Sequence, residues 1–133
     1  MSDPRELARL VLARSNTSTQ FLTYRGLVLT RPPKNYVSLL FYGGKLRGDR
    51  LAGVANIYDW TFRAMCIGYT DDEALFVVQK FRALFANWRP IGALSSDWLT
   101  EAQDDPPVLK DESTLNAVRY SVTLRYSMTT PRS

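Results

Sequence analysis

Few residues in this sequence are of types that do chemistry near neutral pH, and their spacing limits what they can do. There is no histidine, which removes the commonest general base and the commonest transition-metal ligand. The single cysteine, Cys66, excludes an internal disulfide, and one thiol without imidazoles leaves a zinc ion short of donors. Asp104 and Asp105 are adjacent carboxylates, the type used for acid/base work or a divalent cation. Beside Pro106-Pro107 in a loop they read rather as solvated surface. Ser95-Ser96-Asp97 has no histidine to complete a relay. Gly43-Gly44-Lys45 lacks the glycine spacing and the Lys-Ser/Thr pair of a phosphate loop. Arg47-Gly48-Asp49 matches a cell-adhesion tripeptide, a match common by chance. No nucleophile–base pair, carboxylate cleft or phosphate loop survives. The expectation is a non-enzymatic protein with no cofactor and no catalytic or metal-binding residues.

What stands out instead is charge. Residues 1–66 carry ten Lys/Arg against four Asp/Glu, a net +6, and residues 67–133 carry seven against nine, a net −2. Such asymmetry suits nucleic-acid contact through the basic half, contact between unlike faces of neighbouring subunits, or uneven solvated loops. The basic residues Lys45, Arg47 and Arg50 fall in a glycine-rich stretch over 43–56. Asp104, Asp105, Asp111 and Glu112 fall in an acidic, proline-containing stretch over 100–112. Both read as long loops, the first as a mobile or hairpin-like excursion. Loops of that length in a compact domain usually carry function or are disordered.

The elements that must carry these loops are clearest over 57–88. Tyr58, Trp60, Phe62, Ala64 and Cys66 alternate with Asp59, Thr61 and Arg63, the period of two of a half-buried strand. That alternation puts Cys66 on the apolar face as a buried, inert thiol. Gly68 breaks the strand. Thr70-Asp71-Asp72-Glu73 then reads as a capping box with acidic residues at the positive end of the helix dipole. Ala74, Val78, Phe81, Phe85 and Trp88 form one apolar helical stripe, stopped by Arg89-Pro90.

Upstream, Asp3-Pro4-Arg5-Glu6 opens a first helix with another capping box, and Leu7, Leu10 and Val11 form its stripe. A strand is expected over 20–30, with Gly26 as a bulge, and another over 36–42 with Val37, Leu39 and Phe41 on one face. Residues 91–99 suggest a short strand and turn with Trp98 as a buried or interface aromatic. The last strand is the most regular. Val118, Tyr120, Val122, Leu124, Tyr126 and Met128 alternate with Arg119, Ser121, Thr123, Arg125 and Ser127, giving one core face and one polar face.

The whole chain reads as a single domain over 1–133, long enough to bury roughly two-thirds of its unfolded surface. Apolar and charged fractions of 45% and 23% are ordinary for a globular protein. No run approaches the ~20 apolar residues of a membrane span, and the Met-Ser-Asp-Pro start lacks a signal-peptide pattern, so no membrane contact is expected. The fold class is α+β: a mostly antiparallel sheet of about four strands, with an N-terminal helix and a central helix on one face. On the polar face of the last strand, arginines alternate with serine and threonine, so the aromatic platform of single-strand nucleic-acid binders is absent there. No helix-turn-helix or RNA-binding motif is present.

The run Asp59-Trp60-Thr61-Phe62-Arg63-Ala64-Met65-Cys66-Ile67-Gly68-Tyr69-Thr70 resembles the central strand and "V-G-x-T" turn of tail terminator proteins of long-tailed bacteriophages. The helix that follows, with Ala74 and Ala83-Leu84, is similar as well. So is the ending, where Asp111 and a few polar residues precede the strand from Tyr120 to Tyr126 and a Thr-Pro-Arg tail. The likeness covers the layout of most of the chain, but the residue pattern only over about 57–88 and 111–132. Related head–tail connector proteins share comparable layouts. The resemblance implies a virion protein of the tail or neck, assembled in the host cytoplasm. Its copies would form a ring, commonly of six, that caps the tail tube, ends its polymerisation and docks on the head connector while DNA passes through without sequence recognition. The family offers no catalytic residues to carry over, and no counterpart for the basic stretch over 43–56. On this reading Lys45, Arg47, Arg50, Asp104, Asp105, Asp111 and Glu112 are subunit-interface candidates. Arg119, Thr123 and Arg125 are candidates to line the channel or pack on the tube. Two readings stay open beside it: another connector or adaptor of the same particle, and a small basic nucleic-acid-binding module.

Overall fold

A computed structural model describes residues 4–26, 35–42, 45–47, 57–86, 88, 99–102, 105–111 and 119–131. The second and larger helix explains the layers best. Helix α2 (Asp71–Phe85) starts where Thr70 leaves the strand conformation and its hydroxyl oxygen accepts from the Glu73 N–H at 3.1 Å. Ala74, Val77, Val78, Phe81 and Phe85 are buried along one side, the stripe that the helical period requires. The helix ends at Phe85, because Ala86 turns to an extended conformation while its N–H still bonds to the Arg82 carbonyl. Trp88 therefore lies beyond the helix, a correction to the expected stripe. It folds back edge-on against Phe85, with ring centres 5.2 Å apart. Arg89 and Pro90, the expected stop, lie outside the described residues.

Helix α1 (Pro4–Ser15) carries Leu7 and Val11 into the same core. Asp3, read as its cap, lies outside the described residues. Arg14 Nε donates to the Leu84 carbonyl at 2.8 Å, and the Ser15 and Thr23 hydroxyls share a hydrogen bond of 2.7 Å. These contacts fasten α1 to α2 and to the first strand.

The described strands are β1 (Leu22–Arg25), β2 (Tyr36–Phe41), β3 (Lys45–Arg47), β4 (Ile57–Gly68), β5 (Thr100–Glu101), β6 (Leu109–Asp111) and β7 (Arg119–Pro131), joined in one sheet. The order is β1-β2-β4-β7-β5, with β3 also on β4 and β6 also on β7. Every pairing is antiparallel except β1 with β2. The α+β class with two helices on one face stands; the count of about four strands does not.

The three additional strands lie in the two stretches read as loops, where two or three residues show no period. β3 continues β2 along the same edge of β4. Phe41 faces Phe62 and Lys45 faces Asp59. On the far edge, β5 faces Ser127 and Tyr126 while β6 faces Ser121 to Arg119. Residues 100–101 and 109–111 thus form two pieces of edge strand along β7. The prolines at 106 and 107 fall between the two paired pieces, where no ladder N–H is needed.

Register explains the core. On the inner face Leu39, Ala64 and Leu124 are side by side, as are Val37, Cys66 and Val122, and Phe41, Phe62 and Tyr126. The buried members of these rows pack beneath α2. Gly26, read as a bulge, instead closes β1 with a φ of +78°, and its N–H donates to the Leu39 carbonyl at 2.7 Å.

Candidate assembly surfaces

The long β4–β7 ladder sets where charge falls. β3, which brings Lys45 and Arg47, pairs with residues 57–59 at the start of β4. β6, which brings Asp111, pairs with residues 119–121 of β7, of which Tyr120 and Ser121 face Gly68 and Ile67 at the other end of β4. From Ile57 to Ile67 the backbone covers about 34 Å at ~3.4 Å per residue. β3, with Lys45 and Arg47, and β6, with Asp111, therefore sit at opposite ends of the β4–β7 ladder. Arg50, Asp104 and Glu112 lie outside the described residues, as do Ser95-Ser96-Asp97, Gly43-Gly44, Gly48, Asp49 and Trp98.

The residues expected on the polar face of β7 divide. Arg125 is exposed and Thr123 half-buried. Arg119 is buried at 4% exposure, its guanidinium carbon 3.9 Å from the centre of the Tyr69 ring. A channel- or tube-facing role for Arg119 is therefore withdrawn. The planar cation covers the aromatic face just before α2 instead of presenting itself to a partner. Alternation alone placed it correctly on the outer face but carried no sign of Tyr69.

The structure also joins residues that the sequence kept apart. Arg63 on β4 faces Arg125 on β7. Together with Thr123 and Leu109, and with Asp105, Pro106 and Pro107 of the edge excursion, they line a shallow hollow of about 340 Å³ on the sheet's outer face. Arg63 further lies over the Tyr42 ring, 5.6 Å from its centre. Two facing arginines repel, and a carboxylate beside them relieves that repulsion; Asp105 lines the same hollow. Asp105 thus lies beside its own chain's arginines, a neighbourhood that needs the β4–β7 register to be seen.

A second hollow, between α2 and β5, is built for cohesion. Arg82 grips the Glu101 carboxylate with Nε at 2.9 and 3.2 Å and a terminal nitrogen at 2.7 Å. Tyr126 donates its hydroxyl to the same carboxylate at 3.4 Å. The Glu101 hydrogen bond raises the Arg82 pKa, and burial foremost, then the Glu101 charge, raises that of Tyr126. This clamp ties the edge strand to the helix across nineteen residues of sequence, a separation with no local signal.

Cys66 is fully buried, and burial pushes its thiol well above the usual range. Above pH ~8.5 the unfolded chain releases the thiol proton while the folded chain keeps it, so stability falls as pH rises, by up to about 1.4 kcal/mol per pH unit. Tyr126 adds a loss of the same sign above pH ~10. Urea midpoints between pH 7 and pH ~10 should decline from the thiol's unfolded value upward, and Cys66→Ala should flatten the first part of that decline. A thiol reagent should leave the native protein unlabelled.

Among the described residues no group of three or more Cys, Asp or Glu side chains is placed to hold a metal ion, and no helix is long and apolar enough to cross a membrane. No protein-family model and no curated protein matches this chain. What the fold defines is an α+β two-layer domain, with β3 and β6 at opposite ends of the β4–β7 ladder and Arg63 facing Arg125 on the outer sheet face.

Proposed function

We propose that this protein is a structural component of a phage virion, a tail terminator. Its copies close into a ring, six in the commonest arrangement of the family it resembles. The ring caps the tail tube, ends its polymerisation and joins the tail to the head connector. DNA passes through without being read, and the protein acts in the neck of the particle after assembly in the host cytoplasm. The observation that carries this reading is the placement of Lys45 and Arg47 at one end of the β4–β7 ladder and Asp111 at the other. A body with unlike ends supports head-to-tail contacts, which give a ring when the rotation closes. Thr123 and Arg125, on the outer face, remain the candidates to meet the tube or the channel.

Reversing charge at Lys45, Arg47 and Arg50 together tests the proposal. The variant should keep the circular dichroism and urea midpoint of the parent, yet fail to form rings and leave phage tails unterminated. Normal tails and infectious particles from that variant would remove the idea. A connector or adaptor of the same particle is supported by the same unlike ends, and gene order would separate it, because phage structural genes tend to follow assembly order. The facing pair of Arg63 and Arg125 beside Tyr42 favours one further reading, nucleic-acid binding. That reading requires an affinity that falls steeply with salt.

A further inference from the structure

The large hydrophobic side chains left exposed among the described residues are not scattered. Leu22, Leu40, Tyr42, Met65 and Leu109 all stand on the outer face of the sheet, and Leu75 and Phe76 stand on α2. The remaining one, Tyr69, lies against Arg119. Clustered apolar exposure of this kind marks a contact surface.

Each cluster is organised. On the sheet, register sets Leu40, Arg63 and Arg125 in one row across β2, β4 and β7, and Ser38, Met65 and Thr123 in the next. A row from Leu22 on β1 to Leu109 on β6 crosses four inter-strand steps, about 19 Å at ~4.8 Å each. On α2, the exposed residues Asp72, Leu75, Phe76, Gln79 and Ala83 recur at helical spacing and form one outward stripe, about 16 Å long at 1.5 Å per residue. Asp71 and Asp72 are exposed at its start. One surface thus offers two facing arginines among aliphatics, with Asp105 at their edge, and the other offers carboxylates followed by aliphatic and aromatic groups, with Lys80 over the Phe76 ring, at matching length.

The two surfaces cannot meet within one chain. α2 uses its other side to cover the inner face of the sheet, so the outward stripe and the outer sheet face point in opposite directions. A symmetric contact would set the arginine pair against itself, whereas a head-to-tail contact sets it against Asp71 and Asp72. Nucleic acid is the poorer match, because its interfaces are dominated by cations and polar groups, and Leu40, Met65 and Leu109 would be covered without partners.

We infer that the outer sheet face of one copy seats the outward stripe of α2 from a second copy, with Arg63 and Arg125 meeting Asp71 and Asp72 while Leu40 and Met65 cover Leu75 and Phe76. The inference rests on the ring reading and names a face-to-helix contact for it beside the contact of unlike ends; on it Arg125 meets a neighbouring copy rather than the tube or channel. The test is a charge swap on the full chain: Arg63→Glu, Asp72→Lys, and both together, with self-association followed by sedimentation over a wide concentration range and folding checked by circular dichroism. Each single change should weaken association by about tenfold or more, and the double change should recover most of it. Association of the wild type that ignores both single changes would overturn the inference and leave the ring reading to the Lys45, Arg47 and Arg50 reversal. Weakening without recovery in the double variant would overturn the pairing, and a wild type that stays monomeric throughout would overturn both the pairing and self-assembly through it. Salt-dependent binding of single-stranded DNA, lost in Arg63→Glu and kept in Asp72→Lys, would assign the face to nucleic acid and overturn the inference.

Discussion

Phe62→Ala should destabilise the protein by about 3–5 kcal/mol, a large part of the 5–15 kcal/mol that holds a typical domain folded. Phe62 is 1% exposed and stands at the centre of the inner face, between Phe41 on β2 and Tyr126 on β7. Its ring stacks on Tyr126 with centres 5.3 Å apart and planes 10° from parallel. It meets Phe85 of α2 at 6.1 Å and Phe41 at 5.7 Å. Truncation removes the transfer energy of the ring, leaves a cavity beneath the helix, and strips each neighbour of an aromatic contact worth about 0.5–1.5 kcal/mol. Tyr126 would feel the loss most, since its hydroxyl is also held by Glu101 and it cannot move inward to fill the gap. Equilibrium urea unfolding measures the change. A loss below about 1 kcal/mol would mean that sheet and helix do not meet through this ring.

The second large effect is expected at Gly68, the last residue of β4. A Cβ built there would lie 2.6 Å from the Ala74 nitrogen and 2.8 Å from two atoms of Glu73. These are parts of the first turn of α2, not the end of a flexible side chain, so the helix start would have to move off the strand. Gly→Ala at an open site gains about 0.4–1 kcal/mol by restricting the unfolded chain. Here the overpacking cost of about 1–3 kcal/mol should exceed that gain. Gly68→Ala is therefore expected to lower the urea midpoint and to loosen the Thr70 cap, readable as faster amide exchange at Glu73 and Ala74. An unchanged or raised midpoint would contradict the close approach.

Much of this arrangement was legible because long elements repeat their pattern. The alternation through Trp60, Phe62, Ala64 and Cys66 and through Val122, Leu124, Tyr126 and Met128 predicted the inner face, and these residues are buried. Thr70 and Glu73 predicted the helix start. What failed to show was set by distant partners. The strands at 45–47, 100–101 and 109–111 are too short to have a period, and exist because the free edges of β4 and β7 accept backbone pairing. The parallel β1–β2 pairing depends on how the chain crosses between them. The burial of Arg119 depends on Tyr69, fifty residues earlier in the chain.

The candidate surfaces were legible in the same uneven way. Charge composition marked the basic and acidic stretches, but only the ladder puts the pieces that bring Lys45, Arg47 and Asp111 at opposite ends of the sheet. Only the β4–β7 register sets Arg63 beside Arg125, and only folding turns Leu75 and Phe76, which lie off the stripe expected from the sequence, into an exposed apolar stripe.

Self-assembly is the central claim, and the mass of the purified protein in solution tests it most directly. Light scattering over a wide concentration range, followed by negative-stain imaging of the same samples, should give a mass that is a whole multiple of 15.1 kDa and closed rings with a central hole. A 15.1 kDa monomer at every concentration, with no closed particles on the grid, would contradict it.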